Sequence, residues 1–465
     1  MPHHHRQITS ARPASISRRE ALRRLALGAA SAWAFPAIVR ARDGGPSANS
    51  RINLAFIGVG GKGREPALSL SANNYVAFCD VDPDRAVDAY KQFPNVPQFK
   101  DFRAMFDRLG REIDAVVIST PDHAHYTTGM VAMQLGKHVY IEKPLAPTIW
   151  ETRQLHAMAK KSRVVTQMGV QGHSFSGLRV LKEWIDAGAV GEISEVYLWT
   201  DRLNLQRWSG LQTDAPAEPM PAGYPWEVWL SGRRPRPYTS RYVPQAWRSW
   251  WDFGSGAIGD IAVHMMDVVE TVLGVGFPTR VTDDSPHRGG PTVPRCSDTL
   301  YEYPARGSRP AVKLHWCNGY KGDALNKPAA VPHVPAALIA KETNVIAFVG
   351  TRGTILVPDM RASSRPQIFP LELEKEFYTH LPPATIPRLK GSHFDDWFRA
   401  IRDGGKAGAD FDYSAPLTEA VLLGTLAQRT GQPIIWNREK MSALDVPAVD
   451  ALLKPNLAPE WIIPV

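Results

Sequence analysis

The feature that most restricts the possible folds is a glycine-rich segment placed directly after a short apolar run. Ile52–Ile57 is apolar and of strand length, and Gly58-Val59-Gly60-Gly61-Lys62-Gly63 follows at once. A stretch with helical character around Glu65–Ala72 comes next. A glycine turn between a strand and a helix is typical of a βαβ unit, where the helix N-terminus offers free N–H groups to phosphates. The segment therefore predicts an α/β fold with a phosphate-binding turn.

Further apolar runs continue this alternation to about residue 172. Strands are predicted at Tyr75–Cys79, Ala115–Ser119, Val139–Ile141 and Val164–Met168, with helical patterns between them. Continuous apolar strands separated by helices are characteristic of a parallel sheet covered on both faces. We therefore predict a Rossmann-type dinucleotide-binding domain over residues 51–172.

The pattern changes beyond about residue 175, where apolar and polar residues alternate more often. Strands are predicted at Ile193–Thr200, at 312–316, and at Val345–Phe348 and Thr354–Val357, which flank a glycine-containing turn. The stretches Leu203–Pro225 and Asp283–Arg295 are rich in Pro, Gly and Ser and are predicted to be loops. This half predicts an α+β domain with a large, mostly antiparallel open sheet over 173–465, serving substrate binding and oligomerisation.

The N-terminal block has the composition of an export signal. Residues 1–42 contain eight arginines and one glutamate, so seven of the eight net positive charges fall there. The pair Arg18-Arg19 precedes a moderately apolar run, Leu25–Val39, of about 15 residues, short of the roughly 20 that span a bilayer. We predict a twin-arginine (Tat-type) signal over 1–42 and a linker over 43–50, and hence a periplasmic or otherwise exported protein that engages the Tat machinery. A disordered basic arm or a short anchor is the alternative.

The charge of the remaining chain and the spacing of its cysteines exclude several other classes of protein. Outside the N-terminal block the net charge is close to +1, which does not provide the basic surface of a nucleic-acid-binding protein. Cys79, Cys296 and Cys317 show no paired spacing, which excludes a disulfide framework and a cysteine-based zinc site. We predict no nucleic-acid partner and no metal.

An acidic residue at the end of the second predicted strand indicates which nucleotide binds. Asp80 follows Gly58 by 22 positions, the context that a dinucleotide fingerprint requires. In that fingerprint Gly58 permits the tight turn, Gly60 lets the backbone approach the diphosphate, and Gly63 allows close packing of helix and strand. The Asp80 carboxylate would accept hydrogen bonds from the adenosine ribose and repel a 2′-phosphate. This predicts NAD, with NADP as the alternative because basic residues lie nearby.

Two segments place polar residues after predicted strands, where ligands of open parallel sheets bind. The segment 119–125 contains His123 and His125, either of which could cap a helix; His125 is the better candidate to face the cofactor. Glu142-Lys143-Pro144 follows the next strand. The Lys143 ammonium could hydrogen-bond the substrate oxygen that gains or loses a proton, or form a surface salt bridge. The spacing alone does not choose between these.

A third segment carries an acid and a base. Asp260 and His264 are four residues apart, which predicts that they share one face of a helix. His264 would be the general base, and Asp260 would orient it or bind a hydroxyl. A structural role and a metal site are alternatives, although no third metal ligand has convincing spacing. The aromatic and charged run 247–252, which includes Arg248, suits stacking on a sugar or a core cluster.

Together these segments resemble the Gfo/Idh/MocA family of oxidoreductases, named for glucose–fructose oxidoreductase and inositol dehydrogenase. The resemblance is carried in order by IGVGGKG, FCDVD, STPDHAHY, GKHVYIEKPLA and GAIGDIAVH over about residues 51–275, and weakly by 411–424. It is greatest to the exported branch with a twin-arginine leader and a WWDFGSGAIGD segment. It implies a Rossmann domain followed by a large open sheet whose face covers the nicotinamide.

The resemblance also implies roles for single residues. The family's catalytic lysine, aspartate and histidine fall on Lys143, Asp260 and His264. The implied cofactor-binding set is Gly58, Val59, Gly60, Gly61, Lys62, Gly63, Asp80, Thr120, Pro121, His125, Glu142, Lys143 and Gln171. The implied substrate set is Lys143, His173, Arg248, Asp260 and His264.

The function that the resemblance implies is reversible oxidation of a secondary hydroxyl of a sugar, glycoside or cyclitol. The family's NAD-dependent glycosidases lack the Glu-Lys-Pro segment, so its presence favours a dehydrogenase over a hydrolase, lyase or epimerase that works through a transient 3-keto sugar. Export would require tightly bound NAD, because no pool of free NAD exists outside the cytoplasm. A non-catalytic sensor is a third hypothesis, which the complete catalytic set disfavours. Since open sheet faces commonly pair, we expect a homo-oligomer.

Overall fold

The computed structural model describes residues 51–202, 207–286 and 289–465. The predicted export signal (1–42) and linker (43–50) lie outside the described residues. None of the helices in the described ranges is long and apolar enough to cross a membrane.

Six parallel strands form the first sheet. They are β1 (Asn53–Ile57), β2 (Asn74–Cys79), β3 (Gln98–Phe99), β4 (Ala115–Ile118), β5 (His138–Glu142) and β6 (Thr166–Gly169), in the spatial order β3-β2-β1-β4-β5-β6. The central strands β1, β4 and β5 are almost wholly buried, which explains their continuous apolar sequence. The predicted Rossmann sheet is confirmed. The strand order reverses between β1 and β4, the position at which open α/β sheets bind ligands.

Helices connect these strands and cover the sheet. They are α1 (Arg64–Ser69), α2 (Val87–Gln92), α3 (Phe102–Leu109), α4 (His125–Gln134) and α5 (Ile149–Ser162). Helix α5 is capped by the Thr148 side chain, which accepts a hydrogen bond from the Glu151 N–H at 3.3 Å, and it ends at Arg163 in the left-handed region. Helix α1 follows a 3-10 turn over Gly61–Gly63 and ends at Ser69, three residues before the predicted end.

Eight strands form the second sheet. They are β7 (Ile193–Thr200), β8 (Arg280–Asp283), β9 (Cys296–Tyr303), β10 (Val312–Lys321), β11 (Ala324–Leu325), β12 (Asn344–Gly350), β13 (Thr354–Val357) and β14 (Gln367–Phe369). Their order is β14-β13-β12-β7-β10-β9-β8, with β11 paired to β10. Among the described strand pairs of this sheet, only β7 and β10 run parallel. The predicted large, mostly antiparallel sheet is therefore confirmed, as is the hairpin between β12 and β13.

A helix from the second half of the chain completes the first domain. The remaining elements are α6 (Ser176–Asp186), α7 (Trp226–Leu230), α8 (Val263–Leu273), α9 (Ala336–Lys341), α10 (Leu371–Tyr378), α11 (His393–Asp403), α12 (Phe411–Thr430), α13 (Asp450–Leu453) and the ribbon β15 (Trp436–Asn437) with β16 (Ser442–Ala443). In α11, the Phe394 ring stacks on Tyr140 of β5 with centroids 4.2 Å apart, and Trp397 is fully buried beside them. A parallel sheet needs a helical layer on each face, and α11 supplies part of one layer.

Residues 207–252, which we call the covering segment, pack along the first domain. Apart from α7 this segment has no helix longer than one 3-10 turn. The described parts of the predicted loops 203–225 and 283–295 contain no helix, and the loop prediction is wrong only at Asp283, which is the last residue of β8. Buried Arg233 forms an ion pair with buried Glu151 of α5 at 2.9 Å. His123 Nε2 lies 2.7 Å from the carbonyl oxygen of Trp229. Removing one partner of a buried ion pair costs about 3–5 kcal/mol, so these contacts hold the segment firmly.

Candidate active site

The carboxyl ends of the first sheet's strands open onto a cavity of about 340 Å³. The glycine turn and the loops after β2, β4 and β5 form one side, while the covering segment, the residues just before α8 and the loop after β13 form the other. One group of polar residues surrounds Asp80 and includes Asp82 and Tyr224. A second group surrounds Lys143 and includes Asp260 and His264. The cavity thus joins a nucleotide-type turn to an ionisable cluster.

The glycine turn has the backbone geometry that the sequence predicts. Gly58 has φ of 81°, the left-handed region that favours glycine. A Cβ added at Gly63 would lie 1.9 Å from the carbonyl oxygen of Gly58, so glycine is required for the close packing here. A Cβ at Gly60 would lie 2.8 Å from the Cβ of Arg85. Gly60 therefore makes room for Arg85, in addition to the predicted approach of a diphosphate.

Asp80 stabilises the glycine turn as well as lining the cavity. Its Oδ2 accepts hydrogen bonds from the N–H groups of Val59 at 2.9 Å and Gly60 at 3.0 Å. Burial raises the pKa of this carboxyl group, although the hydrogen bonds from the backbone of Asp82, Gly60 and Val59 act in the opposite direction. A carboxylate has about four acceptor positions, so Asp80 can also accept a hydrogen bond from a ribose hydroxyl. The Val59 side chain is buried, whereas Gly61 and Lys62 line the cavity.

The structure does not place His125 on the cavity wall, contrary to the prediction. Both ring nitrogens lie close to backbone carbonyl oxygens, that of Pro144 at 2.9 Å and that of Thr120 at 3.1 Å. Burial is the largest factor that lowers the pKa of His125 to about 4, so the ring is neutral. His125 thus holds the loop after β4 against the segment after β5. Thr120 and Pro121, by contrast, line the cavity.

Lys143 belongs to a mostly buried ionic cluster on the cavity wall, with 14% of its side chain exposed, which does not fit a surface salt bridge. Its ammonium group donates hydrogen bonds to the carboxylate Oδ1 and, at 2.6 Å, to the carbonyl oxygen of Asp260. The Arg248 Nε lies 3.3 Å from Asp260 Oδ2. Burial acts to raise the pKa of Asp260, but the charges of Lys143 and Arg248 prevail and lower it to about 2. Asp260 is therefore an anion that orients two cations.

The local helix geometry at Asp260 differs from the prediction. Residues Ile258–Ala262 form a π-helical turn, and α8 begins only at Val263. A π-turn is wider than an α-turn, and such turns occur frequently at functional sites. Asp260 and His264 both line the cavity, but they are not spaced as on a regular α-helix.

His264 is surrounded by cations. Its Nε2 lies 3.5 Å from Nη2 of Arg361, and its Nδ1 is buried without a partner among the described residues. Burial lowers the pKa of His264 well below its ordinary value, and the charges of Arg361 and Lys143 lower it further. The imidazole is therefore neutral at physiological pH, the form in which it can accept a proton.

The two residues expected from the segment after β6 differ in position. Gln171 lines the cavity, and its Nε2 donates to Glu142 Oε1 at 3.0 Å, so two residues of the expected cofactor-binding set lie together on the cavity wall. His173 does not line the cavity. Its Nδ1 lies 2.8 Å from Oδ1 of buried Asp267, which also accepts a hydrogen bond from the Tyr413 hydroxyl at 2.7 Å. The expected contact of His173 with substrate is therefore not seen in the structure.

The aromatic run before Asp260 divides between core and cavity. Trp247 lines the cavity, and the Arg248 guanidinium lies 4.1 Å from the centre of its ring. Trp250 and Tyr242 share a buried cluster with Trp247 itself and with Trp226, Trp229 and Phe253, but neither of them lines the cavity. Arg248 and Trp247 thus remain available to a ligand, whereas Trp250 and Tyr242 are core residues.

Asp122 is a cavity residue that the sequence analysis did not single out. It is 3% exposed, and its Oδ2 accepts a hydrogen bond from the Ser255 hydroxyl at 3.3 Å. Burial and the neighbouring Asp260 carboxylate raise its pKa to about 7, against the opposing charges of Lys143 and Arg248. The segment 119–125 drew attention to its histidines, yet its aspartate is the group that titrates near neutrality.

Asp122→Asn should make the protein more stable at pH 8. Because the folded protein holds the Asp122 proton up to about pH 7, against an ordinary pKa of 3.8, the unfolding free energy falls as pH rises through this window. The loss amounts to about 4 kcal/mol at most, and the isosteric asparagine avoids it. Denaturant titrations at pH 5 and pH 8 measure the difference. Ser255→Ala, which keeps the carboxyl group, should retain the wild-type pH dependence. If wild type and Asp122→Asn lost the same unfolding free energy between pH 5 and pH 8, the raised pKa would not belong to Asp122.

Several buried polar atoms on the cavity wall have no hydrogen-bond partner within the described ranges. They are Ser119 Oγ, Thr120 Oγ1, Glu142 Oε2, His264 Nδ1 and Arg361 Nε. Buried polar groups are nearly always hydrogen-bonded, so these atoms indicate a ligand with both donors and acceptors. With the glycine turn and Asp80, they fit the polar groups of a dinucleotide. No three His, Cys, Asp or Glu side chains in the described ranges are grouped to hold a metal ion.

The fold and this cavity define a two-domain dinucleotide-binding protein of the Rossmann class. Residues 52–170 match the family model described as an oxidoreductase family with an NAD-binding Rossmann fold. Residues 180–307 match the companion model, the C-terminal alpha/beta domain of the same oxidoreductase family. These matches together span more than half of the chain. The chain belongs to the Gfo/Idh/MocA oxidoreductase family.

Curated relatives include dehydrogenases of sugars and cyclitols. The chain is 28% identical over 210 residues to levoglucosan dehydrogenase of Pseudarthrobacter phenanthrenivorans, a match that covers 45% of this chain and 44% of that enzyme. It is 28% identical over 147 residues to inositol 2-dehydrogenase of Salmonella typhimurium, covering 30% of this chain and 43% of that enzyme. The matched stretches thus span less than half the length of these relatives.

Solved structures share the fold over most of the chain. The WlbA dehydrogenase from Bordetella pertussis, in complex with NADH and UDP-GlcNAcA, superposes with a TM-score of 0.58 at 16% identity, covering 83% of this chain and 99% of that one. The aldose-aldose oxidoreductase from Caulobacter crescentus gives a TM-score of 0.55 at 15% identity, covering 83% and 100%. At this identity the likeness establishes the two-domain fold.

Proposed function

We propose that the protein oxidises or reduces a secondary hydroxyl of a sugar, glycoside or cyclitol with NAD. The observation that carries the proposal is the Lys143 ammonium held by Asp260 beside His264, in the cavity that also contains the glycine turn and Asp80. Two enzymes with matching sequence stretches are named for such substrates, which is consistent with the proposal.

Lys143, Asp260 and His264 would each have a different role in the reaction. Bound NAD would accept hydride from the carbinol carbon or return it to the carbonyl. Lys143 gives two hydrogen bonds to Asp260, and its third N–H can hold the substrate oxygen. Asp260, ionised above a pKa of about 2, orients Lys143 rather than taking a proton. Neutral His264 is the base for the hydroxyl proton.

The cofactor preference also follows from residues of the cavity. Asp80 would disfavour a 2′-phosphate, which supports NAD over NADP. Arg85 lies over the glycine turn, since a Cβ at Gly61 would be 2.8 Å from its Nη2, so its charge can serve the diphosphate. The covering segment is joined to α5 by the ion pair between Arg233 and Glu151, and its residues line the cavity beside both groups of polar residues. Such a cover supports tight binding of the nucleotide.

Export through the Tat route remains part of the proposal. A folded enzyme that crosses the membrane with NAD already bound would need no supply outside the cytoplasm. Protein purified through several columns without added nucleotide should therefore release NAD or NADH on acid denaturation, detected by mass spectrometry in about equimolar amount. Nucleotide-free protein that turns over only with added NAD would contradict retention. Fractionation of cells that express the full chain tests its location.

A direct assay tests the chemistry. The NAD-loaded enzyme is mixed with free sugars, methyl glycosides and inositols, and nicotinamide absorbance is followed in a single turnover. Reduction of bound NAD by at least one of these, lost in Lys143 variants, supports the dehydrogenase. If none of these compounds changed the nicotinamide absorbance, the dehydrogenase proposal would be refuted.

A redox-neutral glycoside hydrolase, lyase or epimerase is the second candidate. Two observations favour it: the covered cofactor site, and Asp122, whose pKa of about 7 suits an acid that protonates a leaving group. Release of aglycone from an aryl glycoside without accumulation of NADH supports this candidate, whereas net NADH supports the dehydrogenase. A non-catalytic sensor would bind the sugar but would neither release an aglycone nor produce NADH.

Self-association is the last part of the proposal. Strands β7 and β10 place Tyr197 and His315 side by side on the large sheet, with stacked rings 4.6 Å apart and both partly exposed. We expect this face to pair two copies of the chain. Sedimentation at micromolar concentration should show a dimer or tetramer, and Tyr197→Lys should shift the distribution to monomer.

A further inference from the structure

Two arginine side chains on the cavity wall, Arg361 and Arg202, form no ion pair with any other described residue. Arg361 follows β13, and its guanidinium has one hydrogen-bonding neighbour in the described chain, His264 Nε2, at the long distance of 3.5 Å. Its Nε is buried without a partner. Arg202 follows β7 and is exposed towards the cavity. Both guanidinium groups are therefore free to bind a ligand.

The other cations of this part of the cavity are already neutralised. Lys143 and Arg248 share the Asp260 carboxylate. Lys62 pairs with Glu65 at 2.6 Å. Within this part of the cavity, the contrast singles out Arg361 and Arg202 as the positive charges without an ion-pair partner among the described residues.

The two guanidinium groups repel each other. Burial lowers the pKa of Arg361, and the charge of Arg202 is the next largest cause. Glu142 is the strongest opposing charge, but no ion pair joins it to Arg361 within the described residues; its Oε1 accepts a hydrogen bond from Gln171. Like charges that converge in a partly buried site are unfavourable until a counter-charge binds, and an anionic ligand removes the repulsion.

The dinucleotide is not the expected source of that counter-charge. Its diphosphate belongs at the glycine turn, where backbone N–H groups, Lys62 and Arg85 are available. Arg361 instead contacts His264, the residue to which we assign proton transfer from the substrate. A counter-charge at this position would be carried by the substrate.

We propose that Arg361 and Arg202 bind an anionic group of the substrate, so that the enzyme acts on an acidic sugar: a uronic acid, an aldonic acid or a sugar phosphate. Guanidinium groups bind planar carboxylates and phosphates through paired N–H donors, and this geometry also fixes the orientation of the ring. The anchored anion would present a neighbouring hydroxyl to Lys143 and His264. This inference rests on the proposed sugar-oxidoreductase function and specifies its substrate class.

Matched acid and neutral sugars test the inference. The NAD-loaded full chain is titrated with glucuronate and glucose, galacturonate and galactose, gluconate and sorbitol, and glucose 6-phosphate, with thermal shift as the binding readout and NADH formation as the activity readout. The acid of at least one pair should bind on the order of 10-fold to 100-fold more tightly, and Arg361→Gln and Arg202→Gln should abolish that preference. Comparison of the carboxylates with the phosphate identifies the anion.

Arg207→Gln is the matched control, because Arg207 is exposed, follows Arg202 by five positions in the sequence and does not line the cavity. It should keep the preference for acids. Neutral sugars that bind or react as well as the acids would overturn the inference while leaving the oxidoreductase intact. Loss of NAD affinity in the arginine variants by the same factor would assign the two arginines to the cofactor's diphosphate and also overturn it. If no sugar binds or reacts, the proposed function fails as well.

Discussion

Lys143→Met is expected to lower the rate of hydride transfer on the order of 10³-fold, while NAD remains bound. The side chain that it removes holds the reacting oxygen through a charged N–H, and no other described cation lies free at the Asp260 carboxylate, because Arg248 contacts its other oxygen. Single-turnover absorbance of the bound nicotinamide measures the rate. Nucleotide content after purification shows whether the cofactor site is intact.

Two further variants distinguish the effect of Lys143 on stability, through its charge, from its effect on the reaction rate. Lys143→Met leaves the buried Asp260 carboxylate with Arg248 as its remaining partner, so the unfolding free energy should also fall. The double variant Lys143→Met/Asp260→Asn should regain stability without regaining activity. Lys143→Arg keeps the positive charge but changes its geometry, and should remain slow. If Lys143→Met turned over within about threefold of wild type, Lys143 would be a structural residue.

Gly63→Ala should abolish NAD binding and destabilise the fold. The new methyl group would lie 1.9 Å from the carbonyl oxygen of Gly58 and 3.0 Å from the Ser119 Cβ. Backbone cannot yield as a flexible side chain does, so α1 must move away from β1, at a cost of about 3 kcal/mol. The displaced turn no longer presents its N–H groups to the diphosphate. Denaturant unfolding and fluorescence titration with NADH measure the two effects.

Gly405→Ala is the control for a glycine substitution as such. A Cβ at Gly405 meets no atom within 4 Å, and its backbone does not require glycine. This variant should unfold and bind NADH as wild type does. Wild-type NADH affinity in Gly63→Ala would remove the glycine turn from the cofactor site.

The first sheet was predictable because the burial of its strands is visible in their amino-acid sequence. Strands β1, β4 and β5 are buried on both faces and are therefore apolar over most of their length, which a single sequence reveals. The two-residue strand β3 is too short to give a pattern. The return of α11 to this sheet was not predictable either, because its apolar face does not specify which surface it covers.

Within the candidate site, sequence order identified the groups but not their partners. Position after a predicted strand pointed to His125 and Lys143, and the family resemblance pointed to His173. Both histidines are nevertheless engaged away from the cavity, by backbone carbonyls and by Asp267 respectively. A histidine in a ligand-binding loop has the same local sequence whether it faces a ligand or supports the loop. Asp122 and Arg361 were missed because burial and neighbouring charges, which come from distant segments, decide their chemistry.

The sequence by itself determined the glycine turn, the parallel sheet that carries it and the set of chemical groups near it, because these depend on short-range periodicity and on backbone conformation. Tertiary structure alone decided how those groups act. Lys143 and Asp260 are 117 residues apart, and Arg361 lies 97 residues beyond His264. Charge, burial and repulsion act through space, so whether a lysine is a surface cation or the centre of a buried cluster depends on what the fold brings beside it.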